Sequence, residues 1–329
     1  MNYKIGIIGA GAIVESSHIP VLKVLPGVTV EWVHDLNNSR TQLMEAMFGT
    51  RPLQGKPIDH ALNEVDICLL TIPYGARREY IDLCATKGKS LYVEKPFAIT
   101  AAEHNSICGM FPAHNLAVGF QRRYYHTVEQ LKYLVNSKIF GALKGIDIVQ
   151  GYFSLKGSKE FLTNAALAGG GVIIESAIHT LDQVLQITGA NAVQVDELKT
   201  LQVKGIDYDS KFSTTLFVED AAINVKAAIS TLRNLDNGLT FHFENALVKA
   251  GTSPNSSIKV YDKMGRPVTF NIELAECPGP ARANSVSEAF YQFWRDFIRS
   301  VHSKEANQTA ALNSLLTSTW MEQLYAKIN

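Results

Sequence analysis

The sequence predicts an α/β chain in two parts: a doubly wound parallel sheet over residues 1–121, then an α+β part over residues 122–329 built on a large, mostly antiparallel open sheet. Three observations carry this expectation. Apolar, strand-like runs alternate with helical patterns up to about residue 120. A glycine loop, Gly9-Ala10-Gly11, joins the first run to the first helical pattern. Beyond Arg123 the alternation stops, and strand-like runs follow one another across turns such as Asp236-Asn237-Gly238, connections too short to link parallel neighbours.

The first run, Lys4-Ile5-Gly6-Ile7-Ile8, is a buried strand, and the helical pattern after the loop reaches residue 22. Gly9 suits the tight turn, Gly11 lets backbone approach a pyrophosphate, and the helix start at Ala12 and Ile13 offers N–H groups to the anion. Val14 stands where a third glycine would complete the fingerprint. A second strand over 28–34 ends at Asp35, where a carboxylate accepts hydrogen bonds from a ribose 2′-OH. This favours NAD, while Arg40 shortly afterwards keeps NADP open. Helices over 39–48, 76–87 and 101–109 alternate with strands over 65–71, 90–94 and 116–120. The third strand runs out at Thr71 towards Pro73. The fourth ends in Glu94-Lys95-Pro96, since Pro96 cannot donate to a ladder. Lys95 is thus predicted at the carboxyl edge of the sheet, where open α/β sheets bind ligands; the plainer alternative is a solvated loop lysine.

In the second part a helix over 127–137 precedes strands over 143–153, 194–203, 210–218, 221–230, 239–250 and 257–270. A further helix, led by Gly169-Gly170-Gly171 and ended by Gly189, spans about 172–188. Glu175, His179 and Asp182 fall at i, i+4 and i+7 and share one of its faces. The residue pattern alone leaves two readings level, an exposed face with a helix-stabilising Glu–His pair and a site. Helices over 284–303 and 308–327 close the chain, the first with the aromatic stripe Phe290, Phe293, Trp294 and Phe297 predicted as core.

Composition narrows the partners. Lysine plus arginine and aspartate plus glutamate each number 31, so no global field favours nucleic acid or acidic membranes. No apolar run reaches the roughly 18 residues of a membrane span. Met1-Asn2-Tyr3-Lys4 reads directly into a strand, and the expectation is a cytoplasmic protein with a small-molecule partner. Cys68, Cys84, Cys108 and Cys277 show no metal or redox spacing and are expected reduced. His18, His34, His104, His114 and His126 are scattered, so no metal is expected. Lys156, Lys159 and Arg282 are loop cations that leave room for an anionic substrate.

Glu94-Lys95-Pro96, the Gly9–Gly11 loop, Asp35, the turn from Thr71 to Pro73 and Gly119-Phe120-Gln121-Arg122-Arg123-Tyr124 together resemble the glucose-fructose oxidoreductase / inositol dehydrogenase / MocA (Gfo/Idh/MocA) family. The resemblance implies a Rossmann dinucleotide-binding domain, then an α+β substrate and oligomerisation domain, and a homodimer or homotetramer. It also implies an NAD(P)-dependent oxidoreductase acting on a secondary alcohol or ketone of a sugar, cyclitol or sugar derivative; the rival is a non-catalytic NAD(P)-binding sensor of the same fold. Lys95 and His179 become the catalytic pair, with Glu175 standing where the family has an aspartate. Cofactor contacts fall on Gly9, Gly11, Ala12, Ile13, Asp35, Arg40, Thr71, Pro73, Glu94, Lys95 and Gln121; substrate contacts fall on Lys95, Arg123, Glu175 and His179. Tyr74 and Arg77 depart from the family pattern, where a small polar residue and a histidine are usual.

Overall fold

The computed structural model of the chain describes residues 2–55, 57–154, 163–269 and 283–328. Lys156, Lys159, Cys277 and Arg282 lie outside them. Two compact units emerge: Met1–Ala98 with Ala102–Gln121 and Val286–Leu315, and Ile99–Ala101 with Arg122–Ser285 and Leu316–Asn329.

The first unit contains, in order, β1 (Tyr3–Ile8), α1 (Ile19–Val24), β2 (Val28–His34), α2 (Asn38–Phe48), α3 (Ile58–Ala61), β3 (Ile67–Leu70), α4 (Arg78–Thr86), β4 (Ser90–Val93), α5 (Ala101–Cys108) and β5 (Leu116–Val118). Its strands form one parallel sheet in the order β2-β1-β3-β4-β5. Because β2 and β3 flank β1 on opposite sides, the winding reverses there, and the carboxyl ends of β1 and β3 form the switch point at which such sheets hold ligands. β3 and β4 are buried along their whole length, which is why they read as unbroken apolar runs.

The second unit contains α6 (His126–Ser137), β6 (Leu143–Gly151), α7 (Ala165–Ala168), α8 (Ile178–Thr188), β7 (Ala192–Val203), β8 (Ile206–Val218), β9 (Ala221–Ser230), β10 (Gly238–Phe243), β11 (Ala246–Ala250), β12 (Ile258–Asp262) and β13 (Pro267–Val268). They build a sheet in the order β13-β12-β11-β10-β6-β9-β8-β7, antiparallel except for the β6–β9 pair. Lys204 and Gly205 take φ of 51° and 78° at the β7–β8 turn, positive values whose twist matches the flanking strands.

Two strand expectations are corrected. The run over 239–250 is a hairpin, β10 and β11, broken at Glu244-Asn245, whose N–H groups donate to the carbonyls of Ala142 and Phe140 at 2.8 Å. The run starting at 257 folds back after β12, where the Asp262 carboxylate accepts the N–H groups of Met264 and Arg266 and β13 returns; residue 270 lies outside the described residues. Two helices end the chain, α9 (Val286–Ser303) and α10 (Leu315–Ala326). α9 belongs to the first unit, where Trp294 stacks on Tyr92 of β4 at 4.7 Å and Phe293 meets the same ring edge-on at 4.8 Å. The aromatic stripe is core, as its spacing implied: Phe290, Phe293, Trp294 and Phe297 are buried. Among the described residues no helix is long and apolar enough to cross a membrane.

Candidate active site

In the first unit the chain leaves β1 through Gly9 at φ 100°, a conformation strained for any residue with a Cβ. A Cβ there would also lie 2.6 Å from Thr71 Oγ1. Thr71 uses this closeness: its hydroxyl lies 2.9 Å from the Gly9 carbonyl oxygen and 3.2 Å from that of Ile8, tying the end of β3 to the loop. Gly11 is different, since a Cβ on it would meet nothing within 4 Å. Beyond it a π-helical turn, Val14–His18, leads into α1, and the Val14 and Glu15 N–H groups both reach the Gly11 carbonyl. The N–H groups of Gly11, Ala12 and Ile13 precede any intrahelical acceptor, so this helix start presents donors. Asp35, just past β2, accepts the Ala10 N–H at 2.7 Å and the Asn37 N–H at 2.8 Å. Arg40 donates to the Ala10 carbonyl at 2.8 Å and to Glu15 at 2.7 Å. Pro73 is half-buried ahead of the turn Tyr74–Ala76. Gln121 is buried, and its Oε1 has no hydrogen-bond partner among the described residues.

Lys95 follows β4, half-buried, and is joined to Pro96 by a cis peptide bond. Its neighbour Glu94 turns inward. Trp294 Nε1 donates to His18 Nδ1 at 3.0 Å; an indole N–H only donates, so the His18 proton sits on Nε2 and points at Glu94 Oε1, 3.0 Å away. Tyr92 OH adds a weaker 3.4 Å contact to that oxygen, and Glu94 Oε2 accepts the Lys95 N–H at 3.1 Å. Glu94, expected at the cofactor, therefore braces the Lys95 backbone from within the core. His18, fully buried, was set aside in the sequence because nothing local reveals a partner 276 residues away. Arg77 is buried too, and its guanidinium donates to the carbonyls of Ile72, Glu94 and Pro96. Burial pushes its pKa down to about 10, so it stays charged at neutral pH. Tyr74 donates to Glu103 at 2.6 Å, and burial followed by this carboxylate pushes the phenol well up. Both departures from the family pattern thus point into the fold.

In the second unit the glycine-led helix begins with a second π-helical turn, Ile173–Ala177, which carries Glu175 and continues into α8. Such turns recur at functional sites because they re-aim side chains within a helix. The face shared by Glu175, His179 and Asp182 is not solvated: Glu175 is half-buried, while His179 and Asp182 are buried. Arg123 grips Asp182 in a buried bidentate pair, Nε at 2.8 Å and Nη2 at 2.6 Å, and Thr317 adds a hydroxyl at 3.1 Å. Arg123, expected at the substrate, thus uses Nε and Nη2 to hold α8.

The reason for the last of the three glycines, Gly171, lies outside its own sequence. The Asp207 carboxylate accepts the N–H of Gly171 at 2.6 Å, the N–H of Ile173 at 2.8 Å and the Tyr325 hydroxyl at 2.8 Å. A Cβ on Gly171 would lie 1.9 Å from the Asp207 carbonyl oxygen. Asp207 therefore caps the helix that carries Glu175 and His179, and only glycine lets it approach. Sequence reasoning missed Asp207 and Tyr325, which lack any local motif. Among the described residues no group of three or more His, Cys, Asp or Glu side chains is arranged to hold a metal ion.

Residues 3–121 match the family model for an oxidoreductase family with an NAD-binding Rossmann fold, and residues 128–261 match the Gfo/Idh/MocA C-terminal domain. An inositol 2-dehydrogenase of Klebsiella pneumoniae subsp. pneumoniae is 32% identical over 148 residues, 43% of this chain and 44% of that protein. The rhizopine catabolism protein MocA of Rhizobium meliloti is 24% identical over 57% of this chain and 58% of its own. The chain thus spans about half the length of the curated relatives it matches. The fold extends further. A 3-ketoreductase of Actinomadura kijaniata, solved with NADP and TDP-benzene, superposes with a TM-score of 0.82 at 14% identity over 99% of this chain and 98% of its own. An aldose-aldose oxidoreductase of Caulobacter crescentus gives 0.81 at 16% identity over 99% and 97%. With both halves matched by the models of one family, and with the loop, strand-end lysine and glycine-led helix in its order, the chain belongs to the Gfo/Idh/MocA family.

Proposed function

We propose that this chain is an NAD-dependent oxidoreductase that moves a hydride between nicotinamide and a secondary alcohol or ketone of a sugar, a cyclitol or a sugar derivative. The observation that carries the proposal is the arrival of the glycine loop, Asp35 and Lys95 at the carboxyl edge of one parallel sheet, around its switch point. The residues fit a dinucleotide: open space over Gly11, helix-start donors at Ala12 and Ile13, a carboxylate at Asp35, and an unpartnered acceptor on buried Gln121. The names of the relatives, which include an inositol dehydrogenase and a sugar oxidoreductase, support a polyhydroxylated substrate.

When bound, the cofactor supplies the redox chemistry. Lys95 orients the reacting hydroxyl and stabilises its developing negative charge. The His179 imidazole takes the hydroxyl proton as the general base, and Glu175 orients the ring. Retention of both Lys95 and His179 favours an enzyme over a sensor, which needs cofactor contacts but no proton-transfer group. The test is an absorbance screen of sugars, cyclitols and sugar nucleotides with NAD, followed by Lys95→Ala and His179→Ala on the best substrate. Each is expected to lower kcat/KM by about 10²–10⁴-fold. Wild-type rates in His179→Ala would end its assignment as the base.

A further inference from the structure

Arg40 is the type of residue that accommodates a 2′-phosphate when it follows the second strand of a dinucleotide-binding sheet. Here one edge of its fork is already engaged. Nε donates to the Ala10 carbonyl at 2.8 Å and Nη2 donates to Glu15 Oε2 at 2.7 Å, with both side chains about two-thirds buried. On the other side of the same peptide, the Ala10 N–H donates to Asp35 at 2.7 Å. Ala10 is thereby held between Asp35 and Arg40, and the glycine loop is fastened to the end of β2. Two carboxylates, Asp35 and Glu15, stand against one guanidinium, so the corner is net negative. A ribose hydroxyl can donate to Asp35 in such a corner. A 2′-phosphate must share Arg40 with Glu15 while it approaches Asp35.

We propose that Glu15 is a specificity-determining residue, which selects NAD over NADP by keeping Arg40 engaged. The inference rests on the reading of this unit as a dinucleotide site, and it assigns the choice to a residue outside the glycine fingerprint and outside the strand-end position that usually decides it. Glu15 also has a plainer effect. As an acid in the first turn of a helix it complements the helix dipole, and it repels any anion bound there. Removing its charge by that route alone would tighten both dinucleotides, NADPH the more for the charge of its 2′-phosphate. The part of the change in the NADP-to-NAD ratio that requires Arg40 is the part that comes from releasing its guanidinium.

The experiment is a fluorescence titration of the full chain with NADH and NADPH, using wild type, Glu15→Gln, Arg40→Gln and the double variant. Wild type is expected to prefer NADH. Glu15→Gln shifts the affinity ratio towards NADPH by about tenfold or more, the scale of one charge-assisted hydrogen bond. The double variant loses most of that shift, as a double-mutant cycle requires of a coupled pair. Tight NADH binding with an unchanged ratio in Glu15→Gln, or a shift undiminished by removal of Arg40, overturns the inference alone. A wild-type protein that binds neither dinucleotide overturns the functional reading with it.

Discussion

Removing the Arg77 guanidinium while keeping its apolar stem, as Arg77→Met does, tests how Lys95 is held. Nε and Nη2 both reach the Ile72 carbonyl, at 3.1 and 2.9 Å, and Nη1 reaches the Glu94 carbonyl at 2.7 Å and that of Pro96. One side chain thus fastens the segment leaving β3 to the backbone on both sides of Lys95. Each buried acceptor left without a donor costs about 1–3 kcal/mol, and relief from burying a charge returns part of that. The net expected loss is about 2–5 kcal/mol, a large share of the roughly 5–15 kcal/mol typical of folded domains. Urea unfolding reads it as a lower midpoint. Arg77→Lys keeps the charge but loses the fork, and separates stability from positioning. It is expected to fold and bind NADH while turning over about 10²-fold more slowly, the scale of an ångström's displacement at a reacting group. Unfolding free energy within about 0.5 kcal/mol of wild type in Arg77→Met, the range of an inert substitution, would refute the reasoning.

Two further outcomes follow from the buried networks. Gly171→Ala places a Cβ against the Asp207 backbone and is expected to cost about 3 kcal/mol of stability, read as a lowered urea midpoint; an unchanged midpoint would mean that the helix start shifts freely. Trp294→Phe preserves the ring on Tyr92 but strips the donor from His18 Nδ1, for a loss of about 1–3 kcal/mol in the same assay, and wild-type stability would show that this bond is dispensable.

The parallel sheet was legible because strands buried on both faces read as apolar runs and because Gly9, Asp35 and Lys95 mark where three of them end. The break at Glu244-Asn245 was not, since the pair lacks the glycine that marks a two-residue hairpin turn and the alternation of β10 resumes in β11. The chemistry-bearing residues were legible as types and only partly as roles. Glu94 and Arg123 carry charge beside the expected site, which is all the sequence offers. Their engagement with His18 and with Asp182 depends on partners 76 and 59 residues away. Arg77 read only as a departure from the family pattern for the same reason, and only the fold reveals the carbonyls it holds.

The central claim, that a nicotinamide dinucleotide lies on the glycine loop, is tested most directly at Gly11. A Cβ there meets nothing within 4 Å, so Gly11→Val is expected to keep the fold while filling the space a pyrophosphate needs. NADH titration of the wild type and of Gly11→Val, with melting curves of both, is the measurement. The account predicts superimposable melting and the loss of saturable NADH binding in the variant; a folded Gly11→Val that binds NADH as tightly as wild type would contradict it.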